Sequence, residues 1–332
     1  MSVTGSASDA RRAYAVVDSG TTTTRLRVWR GGGVTWSGSR AAGAKDTAVD
    51  GNTAKVEAAL AELLEQRDVE PEAIVCSGMI TSNMGLFELP HLPAPAGLDD
   101  LARGVKQRMF EGLSDIPLTF IPGVKTAVTG ERLADLAAGD VLRGEEAEVA
   151  GLHQLLDLGR DSVYLHLGSH HKAIDVDAGG RILASRTAIT GELLAAVSGQ
   201  MILKSSIVSL GELQLDVDAA VAGAEAAREH GLGRALFLVR VGEQLAGHSK
   251  DRMTSFLLGV LASQDLPLVR SAPSDTPVVL YGGGAFVPIL DAMLRAEGFS
   301  EVRVVERETS EDAAVVGAVR IFERARALGV VA

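Results

Sequence analysis

The first residues with the composition of a phosphate site are an acid and a turn of small hydroxyl residues. Asp18 ends an apolar run, and Ser19, Gly20, Thr21 and Thr22 follow it directly. Turn residues of this kind offer hydroxyls and backbone N–H groups to anionic oxygens. A carboxylate beside them can hold a hydrated Mg²⁺ that bridges two phosphates. The stretch predicts a phosphate turn with Asp18 as its metal-directed acid, and an ordinary polar hairpin is the alternative.

The segments on both sides of this turn are predicted strands. Residues 13–17 are apolar and rich in strand formers, and from Thr24 onward apolar and charged residues alternate. A turn between two strands excludes a Walker loop and a dinucleotide-binding turn, because each of those leads from a strand into a helix. The order strand, acidic turn, strand resembles the first phosphate loop of the superfamily of actin, hexokinase and the heat-shock chaperone ATPases.

A second hairpin of the same design lies further along the chain. Residues 163–167 and 173–177 are predicted strands, and the connection between them contains Gly168, Ser169, His170 and Lys172. Small residues and donors in such a turn predict a second phosphate contact. A pair of turn histidines on opposite faces is preferred over a metal site for residues 170 and 171, because adjacent strand residues point apart.

Three consecutive glycines follow a later predicted strand. Gly282, Gly283 and Gly284 stand between a strand at 277–281 and a helix at 287–296. Glycines allow a flat ring and a ribose to approach the backbone closely, which predicts an adenosine site. Simple helix–strand packing is the alternative.

Residues 78–97 form a long predicted loop directly after the buried strand 74–77. The loop has no helical or strand period, and loops of this length inside a compact domain are usually functional. Ser82 and Asn83 are its polar point among apolar neighbours, so we expect them to face a substrate. A packed surface loop is the alternative. A helix is predicted next, over residues 98–110.

Two adjacent acids, Glu145 and Glu146, begin a helix predicted over residues 145–158. A carboxylate here can serve as a general base for a hydroxyl that attacks phosphate. With the apolar stripe of the helix facing inward, Glu145 is nearer the stripe and Glu146 is on its flank. We therefore predict Glu146 as the base and Glu145 as the alternative. The competing interpretation is that both acids cap the helix.

Length and charge limit the classes of protein that this chain can belong to. A chain of 332 residues exceeds one core, so we predict two domains, at residues 1–138 and 139–332. The net charge of −11 and the absence of basic runs disfavour nucleic-acid and membrane partners. Residues 1–12 do not have the pattern of a signal peptide, and a single cysteine excludes a disulfide framework. We expect a cytoplasmic α/β protein.

Taken together, these residues resemble the 2-dehydro-3-deoxygalactonokinase family, the 2-keto-3-deoxygalactonate kinases of the same superfamily. The resemblance covers most of the chain and rests on motifs in residues 18–22, 78–85, 121–123, 143–146, 168–172, 186–192, 237–240 and 282–284. It implies two ribonuclease-H-like domains, the actin-like ATPase fold, with an interdomain cleft and a last helix that returns to the first domain.

The resemblance also implies an activity and further site residues. The activity is transfer of the γ-phosphate of ATP, with Mg²⁺, to the 6-hydroxyl of 2-dehydro-3-deoxy-D-galactonate. The implied contacts to the sugar acid are Arg186 and Arg240, as cations for its carboxylate, and Thr190 and Glu192. An exopolyphosphatase-type hydrolase and a non-enzymatic ATP-binding switch are the alternatives on the same fold. The sequence leaves the oligomeric state open, and a homo-oligomer is compatible with it.

Overall fold

The computed structural model describes residues 12–332. Residues 1–11 lie outside the described residues. They make up most of the segment, residues 1–12, that we predicted not to be a signal peptide. The chain divides into two compact units. The first comprises the described residues up to Arg160, Val176–Ser185 and Glu308–Ala332, and the second comprises Asp161–Asp175 and Arg186–Arg307. The domain bounds of 1–138 and 139–332 stay a prediction.

Each unit contains both strands and helices, as expected for an α/β protein. The strands are β1 Ala13–Ser19, β2 Thr24–Arg30, β3 Gly33–Arg40, β4 Ala73–Gly78, β5 Leu92–Pro93, β6 Lys106–Arg108, β7 Leu118–Phe120, β8 Val124–Thr126, β9 Asp140–Leu142, β10 Ser162–Leu167, β11 His171–Val176, β12 Ile182–Ala188, β13 Val278–Gly282 and β14 Val302–Val304. The α-helices are α1 Ala44–Asp50, α2 Ala54–Gln66, α3 Leu98–Gly104, α4 Glu145–Leu156, α5 Thr190–Gln200, α6 Val217–His230, α7 Leu232–Gln244, α8 Lys250–Ala262, α9 Leu266–Val269, α10 Phe286–Ala296 and α11 Arg307–Ala327.

The first unit is built on a mixed sheet with the strand order β3-β2-β1-β4-β7-β6. β1 pairs antiparallel with β2 and parallel with β4. The central strand β1 is apolar over residues 13–17, all of them buried, as expected for a strand covered on both faces. Along β2 the buried Leu26 and Val28 alternate with more exposed residues, which confirms the predicted half-buried strand.

The second sheet has the strand order β12-β11-β10-β13-β14. β10 pairs parallel with β13, and β13 pairs parallel with β14. The main apolar core of the second unit includes residues of β10, β13, α8 and α10. A small third sheet has the order β5-β8-β9.

One predicted element is wrong. The helix expected over residues 98–110 ends at Gly104, and Lys106–Arg108 forms the edge strand β6. This segment pairs antiparallel with β7, so that Lys106 lies opposite Phe120. Pairing with a strand more distant in sequence therefore overrides the local helical pattern. Within residues 12–332, no helix is long and apolar enough to cross a membrane.

Candidate active site

The carboxyl ends of two parallel strands, β1 and β4, meet at one edge of the first sheet. Ser19 lies opposite Gly78 in the pairing register. Gly78 has a φ of +84°, and a Cβ there would lie 2.5 Å from the Ser19 carbonyl oxygen and 3.1 Å from Asp18 Oδ1. Only glycine allows this conformation and this close approach without strain. The end of β4 therefore lies directly against Asp18.

A second glycine brings the start of α4 to the same edge. Gly144 has a φ of +116°, and a Cβ there would lie 3.2 Å from the Cα atom of Gly78. α4 begins at the next residue, Glu145. The two acids predicted from the sequence are thus placed beside the strand ends that carry Asp18.

Glu146 is fully buried, and its carboxylate is held by the backbone. Both of its oxygens accept from the Gly144 N–H, at 2.9 Å each. Burial, and secondly the charge of Glu145, raise the pKa of Glu146 to about 7. Hydrogen bonds from the backbone and the charge of Arg143 oppose this rise. A carboxyl group with this pKa exchanges its proton near neutral pH.

The predicted position of Glu146 on the flank of α4 is wrong. Its exposed fraction is 0%, against 8% for Glu145. α11 covers this helix so closely that a Cβ at Gly317 would overlap the Ala147 carbonyl oxygen. The apolar pattern within α4 does not predict this packing, because α11 lies far away in the sequence.

Asp18 shares its edge of the sheet with these acids. Its Oδ2 accepts from Arg25 Nη1 at 3.3 Å, on the opposite strand of the hairpin. Burial raises the pKa of Asp18, and the charges of Arg25 and Arg27 oppose the rise, while Glu145 adds to it. Carboxylates that raise the pKa of their neighbours are stabilised by a cation between or beside them.

The predicted phosphate turn is closed by its own side chains and by α1. The Ser19 and Thr24 hydroxyls lie 3.0 Å apart, and Ser19 is buried. The carbonyls of Gly20 and Thr21 accept from the first two backbone amides of α1, at 3.1 and 2.8 Å. Thr22 is exposed at the tip of the turn. The turn is therefore fixed by its carbonyl groups and presents Thr22 outward.

The loop after β4 is fastened by Arg143, which the sequence reasoning did not select. The Arg143 guanidinium donates to the carbonyl and hydroxyl oxygens of Thr81, to Leu89 O at 2.9 Å, and contacts the His91 ring at 3.2 Å. The available signal was its position immediately before the glycine and two glutamates of residues 144–146. Arg143 thus joins the loop to the start of α4.

Within this loop, the two residues predicted to face a substrate differ in exposure. Ser82 is buried, donates to Met79 O at 2.7 Å and accepts from Met84 N at 3.1 Å, so it shapes the loop. Asn83 is exposed. Their contact with a substrate stays a prediction.

The second sheet has a matching edge, formed by the ends of β10 and β13. Leu167 lies opposite Gly282, which has a φ of +104° and whose Cβ would overlap the Leu167 carbonyl oxygen. Gly283 N donates to that same oxygen at 3.3 Å, and Gly284 has a φ of +86°. The glycine turn and the turn at residues 168–170 therefore follow neighbouring strands. In open α/β sheets, ligands bind at such carboxyl ends.

The second turn is packed against the start of α5. A Cβ at Gly191 would overlap the Gly168 carbonyl oxygen, and Glu192 N donates to Ser169 O at 3.0 Å. The Glu192 carboxylate lies 3.0 Å from His170 Nε2. These contacts join the predicted phosphate turn to residues predicted to contact the sugar acid.

Four further residues predicted for the site have defined positions in the second unit. Thr190 is buried and donates to Asp265 Oδ1 at 2.5 Å, and Lys172 is buried in β11. Arg186 pairs with both carboxylate oxygens of Asp175, at 2.7 and 2.6 Å. Arg240 lies on α7 and donates to Ser205 Oγ at 3.1 Å. The roles of these residues toward ligands stay predictions.

Comparison with known proteins identifies the family. The sequence profile of the 2-keto-3-deoxy-galactonokinase family matches residues 18–321. The chain belongs to this family. The 2-dehydro-3-deoxygalactonokinase of Escherichia coli (strain K12) is 27% identical over 266 residues, which cover 77% of this chain and 80% of the relative. Membership of the 2-keto-3-deoxy-galactonokinase family confirms the predicted class of activity, a sugar-acid kinase.

Solved structures support the fold. A candidate 2-dehydro-3-deoxygalactonokinase from Sinorhizobium meliloti has a TM-score of 0.73 at 24% identity, covering 95% of this chain and 99% of that chain. The activator of the 2-hydroxyisocaproyl-CoA dehydratase from Clostridium difficile, solved with bound ADPNP, has a TM-score of 0.53 at 13% identity, covering 96% and 98%. These likenesses confirm the predicted actin-like ATPase fold class for this chain.

Proposed function

We propose that the protein transfers the γ-phosphate of ATP to the 6-hydroxyl of 2-dehydro-3-deoxy-D-galactonate. The observation that carries the mechanism is the buried Glu146, whose pKa is raised to about 7, at the sheet edge that also holds Asp18. Phosphoryl transfer needs positioning and neutralisation of charge more than covalent chemistry. A turn of donors, an acid for a metal and a base meet these needs, and family membership supports the choice of substrate.

Binding of ATP is assigned to the turns and glycines at the two sheet edges. The turn at residues 19–22 and the turn at 168–170, with Lys172, would hold phosphate oxygens, and Gly282–Gly284 would lie against the adenosine. Mg²⁺ prefers oxygen ligands and keeps several waters, so one carboxylate plus phosphates is a sufficient set. Asp18 fits this role, because it is a carboxylate beside the turn of donors and Glu145 adds a second negative charge that acts on it. When bound, the ion would neutralise charge on the phosphates.

We assign the removal of the proton from the sugar hydroxyl to Glu146. A general base works best when its pKa lies near the working pH, and about 7 meets this condition. The Gly144 N–H fixes the orientation of the carboxylate. Glu145 is the alternative base. Its side chain is slightly exposed, and its charge raises the pKa of Asp18.

Binding of the sugar acid is assigned to the loop after β4 and to cationic residues. Ser82 and Asn83 stand in that loop, which Arg143 holds against the start of α4. Arg186 and Arg240 are the proposed partners of the substrate carboxylate, together with contacts from Thr190 and Glu192. Because Arg186 already pairs with Asp175, it would have to share its guanidinium between two carboxylates.

A coupled assay of ATP consumption over a panel of 2-keto-3-deoxy sugar acids tests this proposal. We expect turnover to require an added sugar acid and to be fastest with the galacto-configured one. The phosphorylated carbon is then read from the product by nuclear magnetic resonance. ATP hydrolysis at the same rate without any sugar acid would contradict the kinase assignment and favour a hydrolase.

A further inference from the structure

A buried aspartate in the second unit bonds the first residue of β11 and the first residue of α5, both next to the second predicted phosphate turn. Asp265 lies between α8 and α9 and has an exposed fraction of 0%. Its Oδ2 lies 2.6 Å from His171 Nδ1, and its Oδ1 accepts from the Thr190 hydroxyl at 2.5 Å. The exposed fractions of His171 and Thr190 are 1% and 4%. Each carboxylate oxygen of Asp265 therefore has its own buried donor.

These two donors stand at the positions that fix the turn at residues 168–170. His171 is the first residue of β11, directly after the turn. Thr190 is the first residue of α5, and the next two residues, Gly191 and Glu192, contact the turn. Asp265 therefore ties the strand that leaves the turn to the helix that packs on it.

The His171 side chain has a second contact that orients its ring. Its ring packs edge-on against Phe286, with the ring centroids 4.8 Å apart. A carboxylate that accepts a hydrogen bond from the Nδ1–H group fixes both the tautomer and the orientation of an imidazole. A buried carboxylate in turn needs both donors, since an unpaired buried charge is strongly destabilising.

We infer that Asp265 is a positioning residue for nucleotide binding, which holds the turn at residues 168–170 in the conformation that receives phosphate. Thr190 and His171 act with it, and Glu192 orients His170 from the same helix. The inference rests on the proposed function, because it takes this turn to be a phosphate contact. It gives Thr190 and Glu192 a role through the turn, in addition to their proposed contact with the sugar acid.

The test measures the affinity for a non-hydrolysable ATP analogue by calorimetry in the full chain. Asp265→Asn keeps the shape of the side chain but directs an NH₂ group at one of two donors. We expect it to raise the Kd by about tenfold or more, since hydrogen bonds to charged groups are the strong ones. Thr190→Val, which removes one hydroxyl without changing the volume, is expected to raise it about fivefold. Thr190→Ser keeps the hydroxyl and should restore wild-type affinity.

A purely structural role would lower the melting temperature and leave the Kd of the folded protein unchanged. Each variant is therefore titrated at a temperature where its circular dichroism is that of the wild type. Wild-type affinity in both Asp265→Asn and Thr190→Val would overturn the inference. If Asp265→Asn does not fold, equal affinities of Thr190→Val and Thr190→Ser would overturn it.

The same experiment separates this inference from the proposed function. The Kd of the ATP analogue is measured without any sugar acid, so it does not depend on turnover of a substrate. A wild-type protein that binds the analogue but never consumes ATP with a sugar acid would refute the kinase proposal. The predicted difference between the Thr190 variants would still stand in that case.

Discussion

The two sheet edges share one backbone design and differ in the charges that they present. In each sheet a hairpin strand lies beside a parallel strand whose last residue is a glycine with positive φ, Gly78 or Gly282. Those glycines lie opposite Ser19 and Leu167 in the pairing register. A Cβ at Gly78 would lie 2.5 Å from the Ser19 carbonyl oxygen, and a Cβ at Gly282 would lie 2.4 Å from the Leu167 carbonyl oxygen. Both distances are shorter than van der Waals contact. The same backbone solution is therefore used twice.

The side chains at equivalent positions are different. The residue before Ser19 is Asp18, and the residue before Leu167 is His166. The first edge adds Glu145 and Glu146, whereas the turn of the second edge carries His170. An acidic edge suits a metal ion and proton transfer, and an edge whose turn carries small residues and a histidine suits phosphate oxygens. In the proposed function, the first edge therefore supplies the base and the acid for the metal, and the turns of both edges contribute to ATP binding.

The largest expected effect is the loss of the base at the acidic edge. Glu146→Gln should lower kcat by roughly 10²–10⁴ while the affinity for ATP is preserved. Glu145→Gln is the matched control, one residue away at the same helix start, and it should retain most of the activity. Steady-state kinetics of both variants checks this. Near-normal kcat in Glu146→Gln would remove the assignment, and inactivity of Glu145→Gln alone would transfer it.

The raised pKa of Glu146 predicts a pH dependence of both activity and stability. Since the base must be ionised, kcat should rise as the pH increases through about 7. In Glu146→Gln, the plot of kcat against pH should not show this rise. Below pH 4.5, the ordinary value, the carboxyl is protonated in the folded and unfolded states alike. Between 4.5 and about 7 only the unfolded state ionises, so folding stability falls as pH rises.

The size of this stability effect is at most about 3 kcal/mol, from the difference between the folded and unfolded pKa. Denaturant unfolding at pH 5 and pH 8 should therefore show that the stability of wild type relative to Glu146→Gln declines toward the higher pH. A relative stability that stays constant or increases between the two pH values would contradict the buried, raised carboxyl.

The shared backbone design is tested by replacing its glycines. Gly78→Ala and Gly282→Ala should each destabilise the protein by about 1–3 kcal/mol, because both need a positive φ and close approach. Gly283→Ala is the control, since a Cβ there meets no atom within 4 Å. Thermal unfolding gives the ranking. If the two variants are as stable as Gly283→Ala, the strand ends are not constrained as described.

A smaller effect is expected from the exposed point of the loop after β4. Asn83→Ala should raise the KM for the sugar acid more than the KM for ATP, by an amount that corresponds to about 1–3 kcal/mol for a lost hydrogen bond. Glu88→Ala, an exposed polar residue of the same loop, serves as the control. Equal changes for both substrates would count against placing this loop at the sugar acid.

Local patterns predicted the hairpins and the main helices because their information is contained in short stretches. The apolar run of β1 and the apolar residues that alternate in β2 are buried as expected. The family resemblance supplied the class of activity, which composition and periodicity do not contain.

The positions that sequence reasoning missed depend on partners far away in the chain. Arg143 bonds residues more than fifty positions earlier, and Asp265 bonds His171 across ninety-four positions. Glu146 is fully buried, and α11 packs against the Ala147 carbonyl of the same helix. No local period carries such information, so these contacts and this burial became visible only with the fold.

The division of labour between the two edges is tested most directly by one paired measurement. The kcat at saturating Mg²⁺ and the Kd of an ATP analogue are determined for Asp18→Asn and for Lys172→Met. We predict that Asp18→Asn nearly abolishes turnover, and that Lys172→Met raises the Kd about tenfold with kcat largely retained. Wild-type kcat in Asp18→Asn would contradict the assignment of chemistry to the acidic edge.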